Sequence, residues 1–457
     1  MATRKNAIWI FGDQHPGHAL SCHGNPNLNT PHLDRLAVEG LDFVNAVSGY
    51  PLCCPYRAAL LTSRYPHDTV PGHQYPLDPS IPTIAAPFKA AGYDTAYFGK
   101  WHLDGIKENS YGNACRTEIP KERRGGFDTW IGYDNNNAQW DVMVHGHDHD
   151  KGEVPMHKLK GYETDELTNL LLDYINRKAA GQENFFAALS VQPPHDPYQA
   201  PAEYMARHNP AQVQMRPNVP NIPRLETAAR RDIAGAYAMI ENLDDNIGRI
   251  IARLEELDLW EDTVLIYFSD HGDMHGSHGQ MKKTCPYQEA TNVPFIIGSG
   301  GGRYRNRIGR PNAVINHVDI APTTLGLCGL DVPEYMVGHD YSYLRRRDLD
   351  SKDYETPDSA YMQLVVPTKH GYSTDRAWRG ITTRDGWKYI CFEGAPWLMF
   401  NLNDDPYEQA NLAHNSIFAG KRKELHERLA RWIEETGDTF SLPVPDEPTP
   451  AAWPMPD

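Results

Sequence analysis

Short apolar runs that end on an ionisable residue alternate with amphipathic helices along most of the chain. "AIWIF", residues 7–11, is closed by Gly12 and Asp13 and predicts a buried strand. "NTPHLDRLAVEG" predicts a helix with Thr30 as N-cap, Pro31 at the first helical position and Gly40 at its end. "TIAAPFKAAGYDTAYFGKWH" reads as a helix, a stop at Gly92, and a strand over Thr95–Phe98 that runs into Gly99 and Lys100. "NFFAALSVQPPHDPY" predicts a buried strand over 185–191 leading through prolines to His195. Further on, Ile233, Tyr237, Ile240, Leu243 and Ile247 recur at helical spacing, and the strand Val264–Phe268 then delivers Asp270.

This alternation predicts an α/β fold: a large, mostly parallel sheet sandwiched by helices. Four strands carry Asp13, Lys100, His195 and Asp270 just past their C-terminal ends, the edge at which open α/β sheets place their sites. From about residue 356 the pattern changes. "RGITTRDG", "WKYICFEG" and "WLMFNLNDD" read as short strands, and "KRKELHERLARWIEE" as a helix over them. The expected division is a catalytic domain over 1–355 and a small antiparallel-sheet subdomain over 356–457. The proline-rich end, "SLPVPDEPTPAAWPMPD", cannot form a core and predicts a loose tail or an arm on a neighbouring copy, hence a homo-oligomer.

Composition narrows the function. No apolar run approaches membrane-spanning length, and the apolar part of "MATRKNAIWIFGDQH" is too short for a secretory leader, so the expectation is a cytoplasmic protein with no membrane partner. The 7 cysteines show no CxxC and no disulfide framework. A net charge of −16 argues against a nucleic-acid partner, and an anionic substrate would need a local cationic pocket.

The candidate chemistry lies at the strand ends. Asp13, Gln14, Asp270 and His271 offer oxygen ligands and one imidazole, a set suited to calcium, magnesium or manganese rather than structural zinc. Lys100 and His102 lie two apart on an extended segment, His195 sits between prolines, and "HGQMKK" offers Lys282 and Lys283. Such cations suit a sulfate or phosphate group. Cys53 and Cys54 are adjacent and poorly placed to pair with each other. One reading makes a helix-terminal thiolate near Arg57 a nucleophile, the other makes both cysteines small buried hydrophobes. The residues themselves specify a hydrolase or transferase of phosphate or sulfate esters and leave that choice open.

"CCPYRAALLTSR" resembles the signature of the formylglycine-dependent sulfatases of the alkaline phosphatase superfamily, whose core C-x-P-x-R is here Cys53, Cys54, Pro55, Tyr56 and Arg57. "IFGDQ", "GYDTAYFGKWHLDG", "PPHDPY", "FSDHGD", "HGQMKK", "VDIAPTTLGLCG" and "NLNDDPYEQANLA" have family counterparts in the same order, over about residues 6–412. The resemblance implies an alkaline-phosphatase-like fold. It implies that a formylglycine-generating enzyme oxidises Cys53 to formylglycine, and that Cys54 is the variable position. It also implies that Asp13, Gln14, Asp270, His271 and the modified residue 53 hold a divalent cation, calcium first, with manganese or magnesium as alternatives. One hydroxyl of the aldehyde hydrate then attacks sulfur. Arg57 supports the nucleophile, and Lys100, His102, His195 and Lys283 contact the sulfate; Lys282 is a rim charge.

The expected activity is therefore a sulfatase acting on a small-molecule or glycan sulfate ester. Gln14 in place of a second aspartate, and His271 where many sulfatases carry asparagine, resemble the phosphonate monoester and phosphodiester hydrolases of the same superfamily, the alternative reading. Lys100 and His102 are the sulfatase choice. Tyr56 replaces a usual serine. Substrate choice is expected from loops over the sheet edge, with His15 and His18, parts of the C-terminal domain, and the histidine-rich "DVMVHGHDHDKGEVPMH", this last read as a polar rim loop.

Overall fold

The structure, a computed structural model, describes residues 5–107, 114–299, 307–368 and 374–443. The strands, in chain order, are β1 (Asn6–Asp13), β2 (Leu41–Asp42), β3 (Ala46–Val47), β4 (Asp94–Lys100), β5 (Thr129–Tyr133), β6 (Met143–Asp148), β7 (Gly152–Lys158), β8 (Phe185–Pro194), β9 (Thr263–Ser269), β10 (Phe295–Ser299), β11 (Ile315–Asn316), β12 (Ser359–Leu364), β13 (Trp378–Thr383), β14 (Trp387–Phe392) and β15 (Ala395–Asn401). A nine-stranded sheet has the order β2-β10-β9-β1-β8-β4-β5-β6-β7. Its centre, β9-β1-β8-β4-β5, is parallel, and antiparallel strands extend it on both sides.

β1 shows why its run is apolar throughout. Trp9 and Phe11 pack into the core on one face of the sheet, Ile8 and Ile10 into the core on the other, as alternate residues of a strand covered on both sides must. The first face is covered by α2 (Cys53–Thr62), α3 (Ala85–Ala90) and α8 (Ile320–Cys328); the second by α1 (Pro31–Glu39), α4 (Glu163–Gly181) and α6 (Pro223–Glu256). Two short helices, α5 (Ala202–Met205) and α7 (Gln288–Thr291), lie between these. The smaller sheet, β12-β13-β14-β15, is antiparallel, and α9 (Ala419–Glu435) packs on it. It abuts the large sheet's loops: Trp378 Nε1 donates to the Thr284 carbonyl (3.2 Å) and Lys388 Nζ to the Pro286 carbonyl (2.8 Å). The segment that carries Lys283 is thus held from behind.

Three sequence expectations change. α1 starts at Pro31, but Thr30 does not cap it; the Asp244 carboxylate on α6 accepts from the backbone N–H of His32 (3.1 Å) and Leu33 (2.7 Å) instead. The histidine-rich stretch is no loop: it forms the β6–β7 hairpin at the sheet edge. His145 Nε2 accepts from the Ile119 N–H (2.8 Å), and His147 lies between Arg124 and the Phe127 carbonyl, so both are structural. β12 was not foreseen, because Ser359 and Gln363 interrupt its apolar pattern. Most of the proline-rich end lies outside the described residues.

Candidate functional site

Register brings the strand ends together. Gly12 pairs with Ser269, and Asp13 with Pro194, so Asp13, Asp270 and His195 emerge side by side at one edge. Gly99 lets β4 join them: at φ +104° it lies so close to β8 that a Cβ would sit 2.0 Å from the Ser190 carbonyl oxygen. α2 starts at Cys53 and points that residue and Arg57 at the same edge.

The acidic half of the cluster is compact. Carboxylate oxygens of Asp13 and Asp270, a ring nitrogen of His271 and the sulfur of Cys53 all lie within 4.8 Å of one another, and all four residues are buried. His271 Nδ1 faces the Gly272 carbonyl at 3.0 Å, an acceptor only, so Nδ1 carries the proton. Its lone-pair nitrogen, Nε2, is left facing Cys53 Sγ (3.2 Å), Asp13 Oδ1 (3.4 Å) and Asp270 Oδ1 (3.5 Å). Burial and Lys283 hold this imidazole well below its usual pKa, so it is neutral and able to ligate. Gln14, at φ +74°, directs its side chain to the same place.

The cationic half is interleaved with it. Arg57 Nη2 bridges Asp13 Oδ2 (3.3 Å) and Asp270 Oδ2 (3.2 Å). Its Nη1 donates to Ser190 Oγ (2.7 Å) and to the Lys100 carbonyl (3.0 Å), while the guanidinium lies over Phe11. Lys100 Nζ lies 2.6 Å from Asp13 Oδ2. Lys283 Nζ reaches Gln14 Oε1 (3.0 Å), Cys53 Sγ (3.4 Å) and Asp13 Oδ1 (4.0 Å). Burial alone would raise the Asp13 carboxyl, but Lys100, His195 and Lys283 hold it well below the usual range. Asp270 shifts the other way, raised by burial and by the charge of Asp13.

His102 leaves the extended line expected of it: at φ +55° it turns away from β4, with its N–H on the Asp134 carbonyl (2.7 Å). Its buried Nδ1 has no hydrogen-bond partner among the described residues, and its ring meets that of His73 edge-on at 5.5 Å. His195 Nδ1 faces the Asp196 carbonyl (2.8 Å), and Gln139 Nε2 donates to the His195 carbonyl (2.9 Å). Burial and Lys283 lower its pKa to about 3. Lys282 Nζ pairs with Asp196 Oδ1 at 2.7 Å. His15 is not on a rim: it is buried, with its ring nitrogens on the Tyr267 hydroxyl and the Ala19 carbonyl. His18 lines a separate cavity of about 260 Å³ with Arg216, Asn292 and Arg384.

Sequence reasoning missed Ser190, His73, Tyr198 and Asp273. Ser190 was detectable as one of two polar residues, with Gln192, in an otherwise apolar strand, and Asp273 closes the "SDHGD" already singled out. His73 and Tyr198 carried no local signal.

The sheet order and this strand-end cluster define a hydrolase of the alkaline phosphatase superfamily. The sulfatase family model matches residues 5–330, and a second model, N-sulphoglucosamine sulphohydrolase, C-terminal, matches 276–435. The chain belongs to the sulfatase family and is a sulfatase. It is 34% identical over 446 residues to an ulvan-active sulfatase of Formosa agariphila, covering 96% of this chain and 83% of that protein. Among solved structures, yidJ from Bacteroides fragilis superposes with a TM-score of 0.83 at 27% identity, over 96% of this chain and 97% of that one. The phosphonate monoester hydrolase of Agrobacterium radiobacter shares the fold, with a TM-score of 0.74 at 21% identity over 95% and 96% of the two chains. No helix among the described residues is long and apolar enough to cross a membrane.

Proposed function

We propose that the chain hydrolyses a sulfate monoester on a glycan or small molecule, using a formylglycine made from Cys53 beside a divalent cation. The observation that carries this reading is the position of Cys53. Its sulfur is where the acidic and cationic halves of the cluster meet, with His271, Lys283 and Asp13 at 3.2, 3.4 and 3.6 Å. Burial and Asp13 push its thiol up to about 11, so at neutral pH it is protonated and a poor nucleophile. The position suits an oxygen nucleophile better than sulfur.

The donor set fits a cation: two carboxylates, the Gln14 amide oxygen and a neutral imidazole would hold it, with calcium favoured by the oxygen majority and manganese or magnesium as alternatives. When present, the cation and the hydrated aldehyde together supply a polarised oxygen nucleophile. The remaining work falls to the chain's own residues. Arg57, Lys100 and Lys283 match the carboxylates of Asp13, Asp270 and Asp273, so a bound divalent cation would leave the site locally positive in a chain of net charge −16 and able to attract an anionic ester. On this reading Lys100 and Lys283 bind the sulfate oxygens and balance charge as the ester bond breaks, and the family resemblance adds His102 to them. His195 is neutral in the free protein; an anion beside it offsets Lys283, raises its proton affinity and lets it protonate the leaving oxygen. A formylglycine-generating enzyme is the partner this reading requires.

Gln14 and His271 favour a second reading, a phosphonate monoester or phosphodiester hydrolase. Parallel kcat/KM measurements on an aryl sulfate and an aryl phosphonate monoester, with protein made alongside the maturation enzyme, decide between them. Preference for the sulfate is expected, and preference for the phosphonate would replace the primary reading.

A further inference from the structure

The carboxylate of Asp273 is fully buried one residue beyond Gly272, and its two oxygens have separate tasks. Oδ1 accepts from the backbone N–H of His275 (2.9 Å) and of Lys282 (3.0 Å), closing the loop that carries Lys283. Oδ2 accepts from Gln14 Nε2 (2.6 Å) and from the Tyr198 hydroxyl (2.6 Å). With its proton committed to Asp273, the Tyr198 oxygen accepts a second, longer bond from Gln14 Nε2 (3.2 Å). Lys283 can only donate and sits on the Gln14 amide oxygen, while Asp273 already takes two backbone N–H donors on Oδ1, so its carboxylate is the acceptor for the amide nitrogen. The Gln14 amide can therefore take only one orientation: NH₂ toward Asp273, oxygen toward the cluster. One lone pair of that oxygen receives Lys283 at 3.0 Å, and the other is available to a cation.

We propose that Asp273 is a positioning residue for cation binding, which holds the Gln14 oxygen toward the cation and returns, one hydrogen bond away, the negative charge that a carboxylate at position 14 would carry. The inference rests on the proposed cation site at Asp13, Gln14, Asp270 and His271. Hydrogen-bonded partners of metal ligands fix ligand orientation and raise basicity, and their loss typically weakens metal affinity about 10- to 100-fold.

The test uses the full chain with Cys53 converted, stripped by a chelator and titrated calorimetrically with Ca²⁺ and with Mn²⁺. In Asp273→Asn, the amide oxygen keeps both loop bonds while the amide nitrogen meets Gln14 donor to donor. Affinity is expected to fall about 10- to 100-fold. In a Gln14→Ala background the same substitution should cost nothing further, whereas a merely structural role would still cost there. The swapped pair, Gln14→Glu with Asp273→Asn, restores donor to acceptor and should return affinity to near that of the parent. This swap also decides the matter if Asp273→Asn alone fails to fold. Unchanged affinity in Asp273→Asn, a further loss in the Gln14→Ala background, or a swapped pair that binds weakly would each overturn the inference while leaving the cation site standing. A parent protein that takes up neither ion would overturn the cation site, and this inference with it.

Discussion

The ammonium of Lys283 stands 3.4 Å from the sulfur of Cys53, both of them shut off from solvent. A cation so close to residue 53 stabilises negative charge that develops there, in surroundings where water screens little of it. Lys283→Met keeps the apolar stem and removes the charge. It should lower kcat/KM on an aryl sulfate about 10²- to 10³-fold. Mass spectrometry of the Cys53 peptide, following loss of the thiol for an aldehyde, checks that the variant is still converted.

Arg57 is expected to matter for stability as well as turnover. It pairs with Asp13 and Asp270 in a fully buried setting, and removal leaves two adjacent carboxylates with less compensation. Arg57→Ala should destabilise the metal-free protein by about 3–5 kcal/mol in urea unfolding. Saturating divalent cation should recover part of the loss, because the added charge acts on the same two carboxylates.

Stability should carry a pH dependence traceable to Glu163. Burial pushes its carboxyl up to about 7 from a usual value of 4.5, against the Tyr133 hydroxyl and the Gln192 N–H. Between these values the folded protein keeps a proton that the unfolded chain has released. The group's contribution is therefore full below about pH 4.5, declines as pH rises to about 7, and is flat above, a change on the order of 3 kcal/mol. Unfolding at about pH 5 and about pH 8 should differ less in Glu163→Gln than in the parent; equal differences would refute the assignment.

Two aromatic side chains are exposed at the same 47%, each close in sequence to a residue that touches a candidate site histidine: Tyr75, two residues from the His73 that meets His102, and Trp140, next to the Gln139 that bonds His195. No other phenylalanine, tyrosine or tryptophan among the described residues is exposed. Flat, exposed apolar faces of this kind suit the C–H faces of a sugar. Tyr75→Ala and Trp140→Ala should lower kcat/KM on a sulfated oligosaccharide about 2- to 10-fold and leave a small aryl sulfate unaffected. Equal losses on both substrates would point to a folding role instead.

Much of the cluster was legible because parallel strands in register end together. Once β1, β4, β8 and β9 were recognised, Asp13, Lys100, His195 and Asp270 had to share an edge. Cys53 and Arg57 were legible from their motif. What stayed hidden depends on partners far along the chain. The cap of α1 comes from Asp244, and Ser190 acts through Arg57, 133 residues away. The β6–β7 hairpin escaped because its edge strand is largely exposed and carries little apolar signal.

The burial of Cys53 sets an order of events in the life of the protein. Only 2% of the residue is accessible once α2 is seated under the sheet edge, and Lys283, which closes over it, is encoded 230 positions later. If Cys53 is converted as proposed, an enzyme that must grip this segment and rework its sulfur has its opportunity while the chain is emerging or still open. On the proposed reading, the same closure that makes the pocket dry enough for catalysis would turn maturation into a race with folding: a copy that folds first would be locked as a thiol, stable and inactive, and a preparation's specific activity would become a record of which process won.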